Sequence, residues 1–320
     1  MKKHGNRLIW IDWLKVLGMY LIVVGHMFPP GNEFFYVFSV PLFFISSGFL
    51  VRREDSLKAF WQKSYTRLVV PAALWLVPII LIYSILDMIR TDISFVGVFV
   101  KRCLSAVWGG ESALGGMWFI YTLLIVKLVY QILPRNYNRI INIIICIACM
   151  IGSQYLSYTG KHYFNSIVNV CLAYPFFYVG VEMKVLKGLL QRLSKAVSLF
   201  IAVSCLGITY IALCYNGPTW MYMNDCGSNI ILCVLGGVTG TGLIWGISKC
   251  IDINGKWLTD LSIGTLVILG LHPILICLCK LVYPIAELGV VNYFTGMVMM
   301  VVSLSIIRLC KKRFPKLIGK

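Results

Sequence analysis

Charge is what this sequence has least of, and negative charge is the scarcer kind. Aspartate and glutamate number 12 in 320 residues, against 29 lysines and arginines, and charged residues make up only 13%. With 59% hydrophobic residues and a mean hydropathy of +0.84, so little charge excludes an ordinary soluble domain. A net charge of +17 would suggest nucleic acid as the partner of a soluble chain; here membrane orientation accounts for it, and no nucleic-acid partner is expected. Internal repeats, low-complexity tracts and an appended soluble domain are also lacking, so residues 1–320 read as one membrane domain. The first apolar run ends in His26-Met27-Phe28-Pro29-Pro30 without a small-residue cleavage site, and is expected to be a retained helix. Cysteine is not scarce, at 12, but most lie inside apolar runs. Cys146-x-x-Cys149 has no second pair at metal-site spacing, so neither a metal nor a structural disulfide is assigned.

What is present is a series of ten apolar runs, near residues 8–28, 34–51, 68–88, 117–133, 139–157, 167–183, 196–215, 227–248, 262–282 and 290–309. The expected fold class is all-α, a polytopic bundle of about ten transmembrane helices. With the amino terminus inside, 22 of the 29 basic residues fall in cytoplasmic segments. Five (Arg90, Lys101, Arg102, Lys161 and Lys280) fall outside, and Lys15 and Lys127 lie within helices. The positive-inside rule then puts both termini in the cytoplasm. The longest outer connection, about 89–116, ends in the turn-rich stretch GGESALGG, and Asp55 to Tyr65 reads as a short amphipathic surface helix.

The stretch from Arg7 to His26 organises the rest. It is apolar enough to cross a bilayer, yet carries Asp12, Lys15 and His26. An ionisable group at membrane depth costs about 2.5–3.5 kcal/mol, so such groups face a protein interior or a water-filled cavity. Eleven residues at about 100° each return His26 to within roughly 20° of the face of Lys15, about 16 Å further along the helix. Asp12 shares that side and could pair with Lys15. A neutral imidazole is the natural base for a hydroxyl near neutral pH, and a lysine suits phosphate as a point charge.

Four further stretches stand out. Pro41-Leu42-Phe43-Phe44-Ile45-Ser46-Ser47-Gly48 combines a proline with small residues, which fits either a broken helix lining a cavity or a tight helix crossing. Arg67-Leu-Val-Val-Pro71 opens the third run at the membrane level of Lys15. Trp118-Phe119-Ile120-Tyr121 opens the fourth at the outer face, and His272-Pro273 lies within the ninth.

Taken in order, these stretches resemble the acyltransferase 3 family of bacterial integral-membrane acyltransferases. The resemblance rests on Asp12, Lys15 and His26, on Pro41 to Phe44 with Ser47 and Gly48, on Arg67 with Pro71, on Trp118-Phe119, and on His272-Pro273. Two departures stand beside it. Lysine occupies position 15 where many members have arginine, and Ser39-Val40 stands where many have a histidine before the proline block.

The resemblance implies transfer of an acyl group, most often acetyl, from cytoplasmic acyl-CoA to a hydroxyl of a cell-envelope or exported polysaccharide or glycolipid. The enzyme would sit in the bacterial cytoplasmic (inner) membrane among its lipids, with acyl-CoA as donor and no permanently bound cofactor. It makes His26 the catalytic base and Lys15 and Arg67 the CoA-binding cations. Glu33, Glu111, Trp118 and His272 are candidates for the acceptor. Glu33, Glu111 and Asp225 are alternatives for supporting His26, and direct transfer and an acyl-histidine intermediate both stay open. The competing reading is a transporter of a polysaccharide or lipid-linked glycan. The absence of two repeated halves favours the enzyme.

Overall fold

A bilayer leaves no water for backbone N–H and C=O groups, so apolar runs of this kind must satisfy them internally, as helices. The computed structural model describes residues 7–90, 93–108, 115–133, 139–159, 167–282 and 289–319. The helices are α1 (Ile9–Gly25), α2 (Asn32–Tyr36), α3 (Ser39–Leu50), α4 (Leu57–Ser64), α5 (Val70–Arg90), α6 (Phe95–Trp108), α7 (Trp118–Ile132) and α8 (Arg139–Tyr158). They continue with α9 (Val170–Met183), α10 (Lys187–Arg192), α11 (Lys195–Asn216), α12 (Ile230–Cys250), α13 (Lys256–Ile263), α14 (Thr265–Val282) and α15 (Val291–Arg313). No strand forms among the described residues.

Seven helical stretches are long and apolar enough to cross a membrane, or eight if the bent pair α13–α14 is one span. That is short of the expected ten. The shortfall lies at α1, with 17 residues, and α9, with 14, against the roughly 20 needed to cross the hydrocarbon core.

Helix α1 sits inside the bundle, packed against α3, α12, α13, α14 and α15. Its buried side chains include Ile11, Leu14, Met19, Val23 and Val24, so its orientation is fixed from several sides. Helix α3 is set by α9. A Cβ added at Gly48 would lie 1.9 Å from the Phe177 carbonyl oxygen, and one at Gly180 would lie 1.9 Å from that of Ile45. The small-residue block is therefore a close helix crossing, while its other residues Ser46 and Ser47 line a cavity.

Pro41 does not break this helix. It falls in the first turn of α3, where backbone N–H groups lack intrahelical partners in any case. The interruption comes earlier, at Val37 and Phe38 between α2 and α3.

Three other elements add to the expected layout. The ninth run forms α14, and the short helix before it, α13, meets it at 76° around Gly264. A Cβ there would come within 2.4 Å of Ile307, so α13 approaches α15 closely, and Asp260 of α13 is held by Arg308 and Lys311 of α15. The connection from 89 to 116 contains α6, which an Arg102–Asp87 ion pair ties back to α5. The amphipathic segment is α4, capped by the Ser56 hydroxyl accepting from the Ala59 N–H at 3.1 Å. It runs through a π-helical turn, Tyr65–Val69, into α5, and Arg67 sits in that turn.

Gly48→Ala should separate α3 from α9 and cost at least about 1–3 kcal/mol, the usual penalty of overpacking. Gly188→Ala meets nothing within 4 Å on short helix α10 and should be neutral or slightly stabilising. Thermal unfolding of both variants in detergent checks the contrast.

Candidate active site

The site begins with the charges of α1. Arg7 donates to both oxygens of Asp12, from Nη2 at 2.9 Å, and the Ser262 hydroxyl donates to Asp12 Oδ1 at 2.6 Å. Lys15 does not take Asp12 as its partner; its Nζ donates to the backbone carbonyl of Ser262. The reason lies in the break after α13. A helix that ends leaves its last carbonyls without N–H partners, and Ser262 lies one residue from that end. Lys15 supplies a donor there, and Asp12 fixes the serine beside it.

Around this clasp opens a cavity of about 590 Å³. Its walls hold Lys15 of α1, Arg52, Lys63 of α4, Arg67 of the π-turn and Lys127 of α7. Glu54 is the one carboxylate lining it among the described residues, and Lys63 pairs with it. Neither Arg67 nor Lys127 makes a hydrogen bond or ion pair among the described residues. The cavity is thus strongly cationic at one end. Met19, Ile22, Phe43 and Leu266 give it apolar walls further along, and it reaches His26, Gly116 and Trp118.

A second cavity, of about 310 Å³, meets His26 from the other direction. Ile22, His26, Val40, Gly116 and Trp118 line both cavities, so the two adjoin at these residues, which mark the partition between them. The second cavity is rich in rings: Phe28, Tyr36, Tyr83, Trp220 and Tyr222 join Trp118. The loop after α11 brings two of these in. The Thr219 hydroxyl donates to the Tyr36 carbonyl at 3.1 Å, and the Trp220 ring lies 4.7 Å from that of Tyr36. Asn229 starts α12 by accepting from the Ile231 N–H at 2.8 Å.

His26 and His272 meet at the partition, their ring centroids 5.1 Å apart and their planes 32° from parallel. His272 is buried, and its Nδ1 lies 3.0 Å from the Ile268 carbonyl oxygen. A carbonyl only accepts, so that contact places the proton on Nδ1 and leaves a lone pair on Nε2. Pro273 lies inside α14 and removes the N–H that would reach the carbonyl of Leu269, loosening the helix next to this histidine. Gly116 allows the chain to pass close by: a Cβ there would come 3.1 Å from His272 Cε1 and 3.3 Å from the Leu269 carbonyl oxygen.

Of the residues singled out in the sequence, Lys15, Arg67, Trp118 and His26 all line the first cavity, and His26, Trp118 and His272 the second. Glu33 is exposed on α2 and in neither wall, and Glu111 lies outside the described residues. Asp225 is engaged elsewhere, accepting from the Gly227 N–H at 2.8 Å and the Ser157 hydroxyl at 3.1 Å. His272 is the titratable neighbour in ring contact with His26. Sequence reasoning assigned no role to Lys127, Gly116, Ser262 or the ring-bearing loop. Lys127 carried a signal, a charge inside an apolar run; the others become visible only when distant segments meet.

Residues 8–309 match the family model described as an acyltransferase domain, the acyltransferase 3 family, and the chain belongs to that family. It is a multi-pass membrane acyltransferase. No curated protein and no solved structure matches the chain.

Lys15→Met strips the Ser262 carbonyl of its donor and should lower stability by about 1–3 kcal/mol. Lys127→Met removes a part-buried ammonium with no such bond and should leave stability unchanged or higher. Unfolding temperatures in detergent separate the two; equal losses would contradict the assigned difference.

Proposed function

We propose that this acyltransferase moves an acyl group, acetyl in the simplest case, from cytoplasmic acyl-CoA to a hydroxyl of an envelope glycan or glycolipid. The observation that carries the reading is the position of His26 on a wall common to two cavities, one cationic and one lined by rings. The cationic cavity takes the donor. Its phosphates lie among Lys15, Arg67 and Lys127, where multiple cations offset their charge. The pantetheine arm follows the apolar walls, and the rise of about 16 Å from Lys15 to His26 leads the thioester to the partition.

The acceptor occupies the second cavity, where aromatic faces suit the C–H faces of a sugar. His26 takes the proton of the acceptor hydroxyl as its oxygen attacks the thioester carbonyl. A carbon–oxygen bond forms, the carbon–sulfur bond breaks, and the CoA thiolate leaves with the proton returned by His26. His272, its Nδ1 proton committed to the Ile268 carbonyl, keeps its Nε2 lone pair and its ring beside that of His26. In this arrangement only the acyl group passes the partition. The basic end faces the cytoplasm of a bacterial inner membrane, where acyl-CoA is made.

Purified protein in nanodiscs with labelled acetyl-CoA and extracted envelope glycans tests the reading. His26→Ala should lower label transfer by about 10²–10⁴-fold, the usual contribution of a general base, with the protein still folded. Arg67→Ala and Lys127→Ala should raise KM for acetyl-CoA with little change in kcat, and added salt should weaken donor binding. Full activity in His26→Ala would remove the base assignment.

A further inference from the structure

The ring-lined cavity contains one charged side chain that the mechanism leaves unused. Lys280, near the end of α14, lines it beside His272, Pro273 and Ile276. No carboxylate lines this cavity among the described residues, and Lys280 has no ion pair or hydrogen bond among them. Four other cations of the protein are engaged, Lys63 by Glu54, Arg102 by Asp87, Lys195 by Asp252 and Lys311 by Asp260, while Arg67 and Lys127, like Lys280, face a cavity without such a bond among the described residues. The positive-inside bias does not account for Lys280 either, since it lies at the end of the bundle away from the Lys15–Arg67 cluster. A neutral acceptor would offer this ammonium only hydroxyl and carbonyl oxygens, whereas an anionic one would also offset its charge.

We infer that the acceptor carries an anionic group, a carboxylate or a phosphate, which Lys280 holds while a nearby hydroxyl faces His26. The inference rests on the second cavity being the acceptor cavity. Lys280 follows His272 by eight residues, a rise of about 12 Å along α14. A lysine reaching back along that rise leaves room for a sugar unit between ammonium and imidazole, in a cavity of about 310 Å³ whose ring faces flank it. The ammonium would thus set which acceptor is chosen and which of its hydroxyls meets the base, as a specificity residue that takes no part in the proton transfer.

The test uses the full chain in nanodiscs, labelled acetyl-CoA and envelope glycans in three forms: untreated, carboxyl-reduced and dephosphorylated. Wild type should label the untreated glycan, and one of the two treatments should lower kcat/KM by about tenfold or more, the worth of one charge-assisted contact. Loss on carboxyl reduction identifies an acidic sugar; loss on dephosphorylation identifies a glycosyl phosphate. Lys280→Gln should reproduce that loss on the untreated glycan through KM and have no effect on the neutralised one, and Lys280→Arg should restore it. Equal labelling of all three forms, or an equal fall in kcat on all three in Lys280→Gln, overturns the inference and leaves acyl transfer standing. No labelling of any form by wild type removes the transfer reading and the inference together.

Discussion

A charge at membrane depth needs a partner or a water-filled cavity, and the partner of Lys15 comes from a broken helix. Ser262 lies where α13 ends, and its carbonyl has no N–H of its own helix to accept from. Lys15 satisfies that carbonyl, and Asp12, held by Arg7, takes the Ser262 hydroxyl. The break and the charged face of α1 therefore need each other. Without the break, Lys15 would lack its acceptor; without Lys15, the helix end would be left unsatisfied in an apolar medium.

The rest of the site follows from that clasp. The turn of 76° after Ile263 sends α14 along α1, and α14 carries His272 to His26. Gly116 lets the segment before α7 run against the same histidine, which brings Trp118 to the partition. Two spaces of opposite character result. One is cationic and reaches the partition along apolar walls; the other is ring-lined and holds a single unpaired ammonium among the described residues. A chain with only 12 acidic residues uses them sparingly here. Asp12 and Asp260 brace helices, Glu54 tempers one lysine, and the described walls around His26 hold no carboxylate.

Much of this was legible in the sequence because helix periodicity is local. The eleven-residue spacing put Lys15 and His26 on one face, and both line the first cavity. Arg67 was legible as a cation at the level of Lys15, although its π-helical turn was not. The ninth run reads as one unbroken apolar segment and forms α14; the bend at its start, where α13 joins, depends on the close approach of Gly264 to Ile307 and on Asp260 finding α15. Proline was a misleading marker in the second run, because its effect depends on where a helix starts. Pro41 falls in a first turn, and the close crossing at Gly48 depends on Gly180, 132 residues away. The ring-lined wall was equally hidden, since Trp220 and Tyr222 reach it through a loop held by Thr219 on Tyr36.

The most direct measurement is a structure of the full chain in nanodiscs with a non-reactive thioether analogue of acetyl-CoA. The phosphates should lie among Lys15, Arg67 and Lys127, and the carbonyl of the analogue within about 3–4 Å of the space between His26 and the ring-lined cavity. An analogue seated elsewhere, such as the groove of Arg53, Arg139 and Glu182, would contradict this placement, as would an acyl end far from His26.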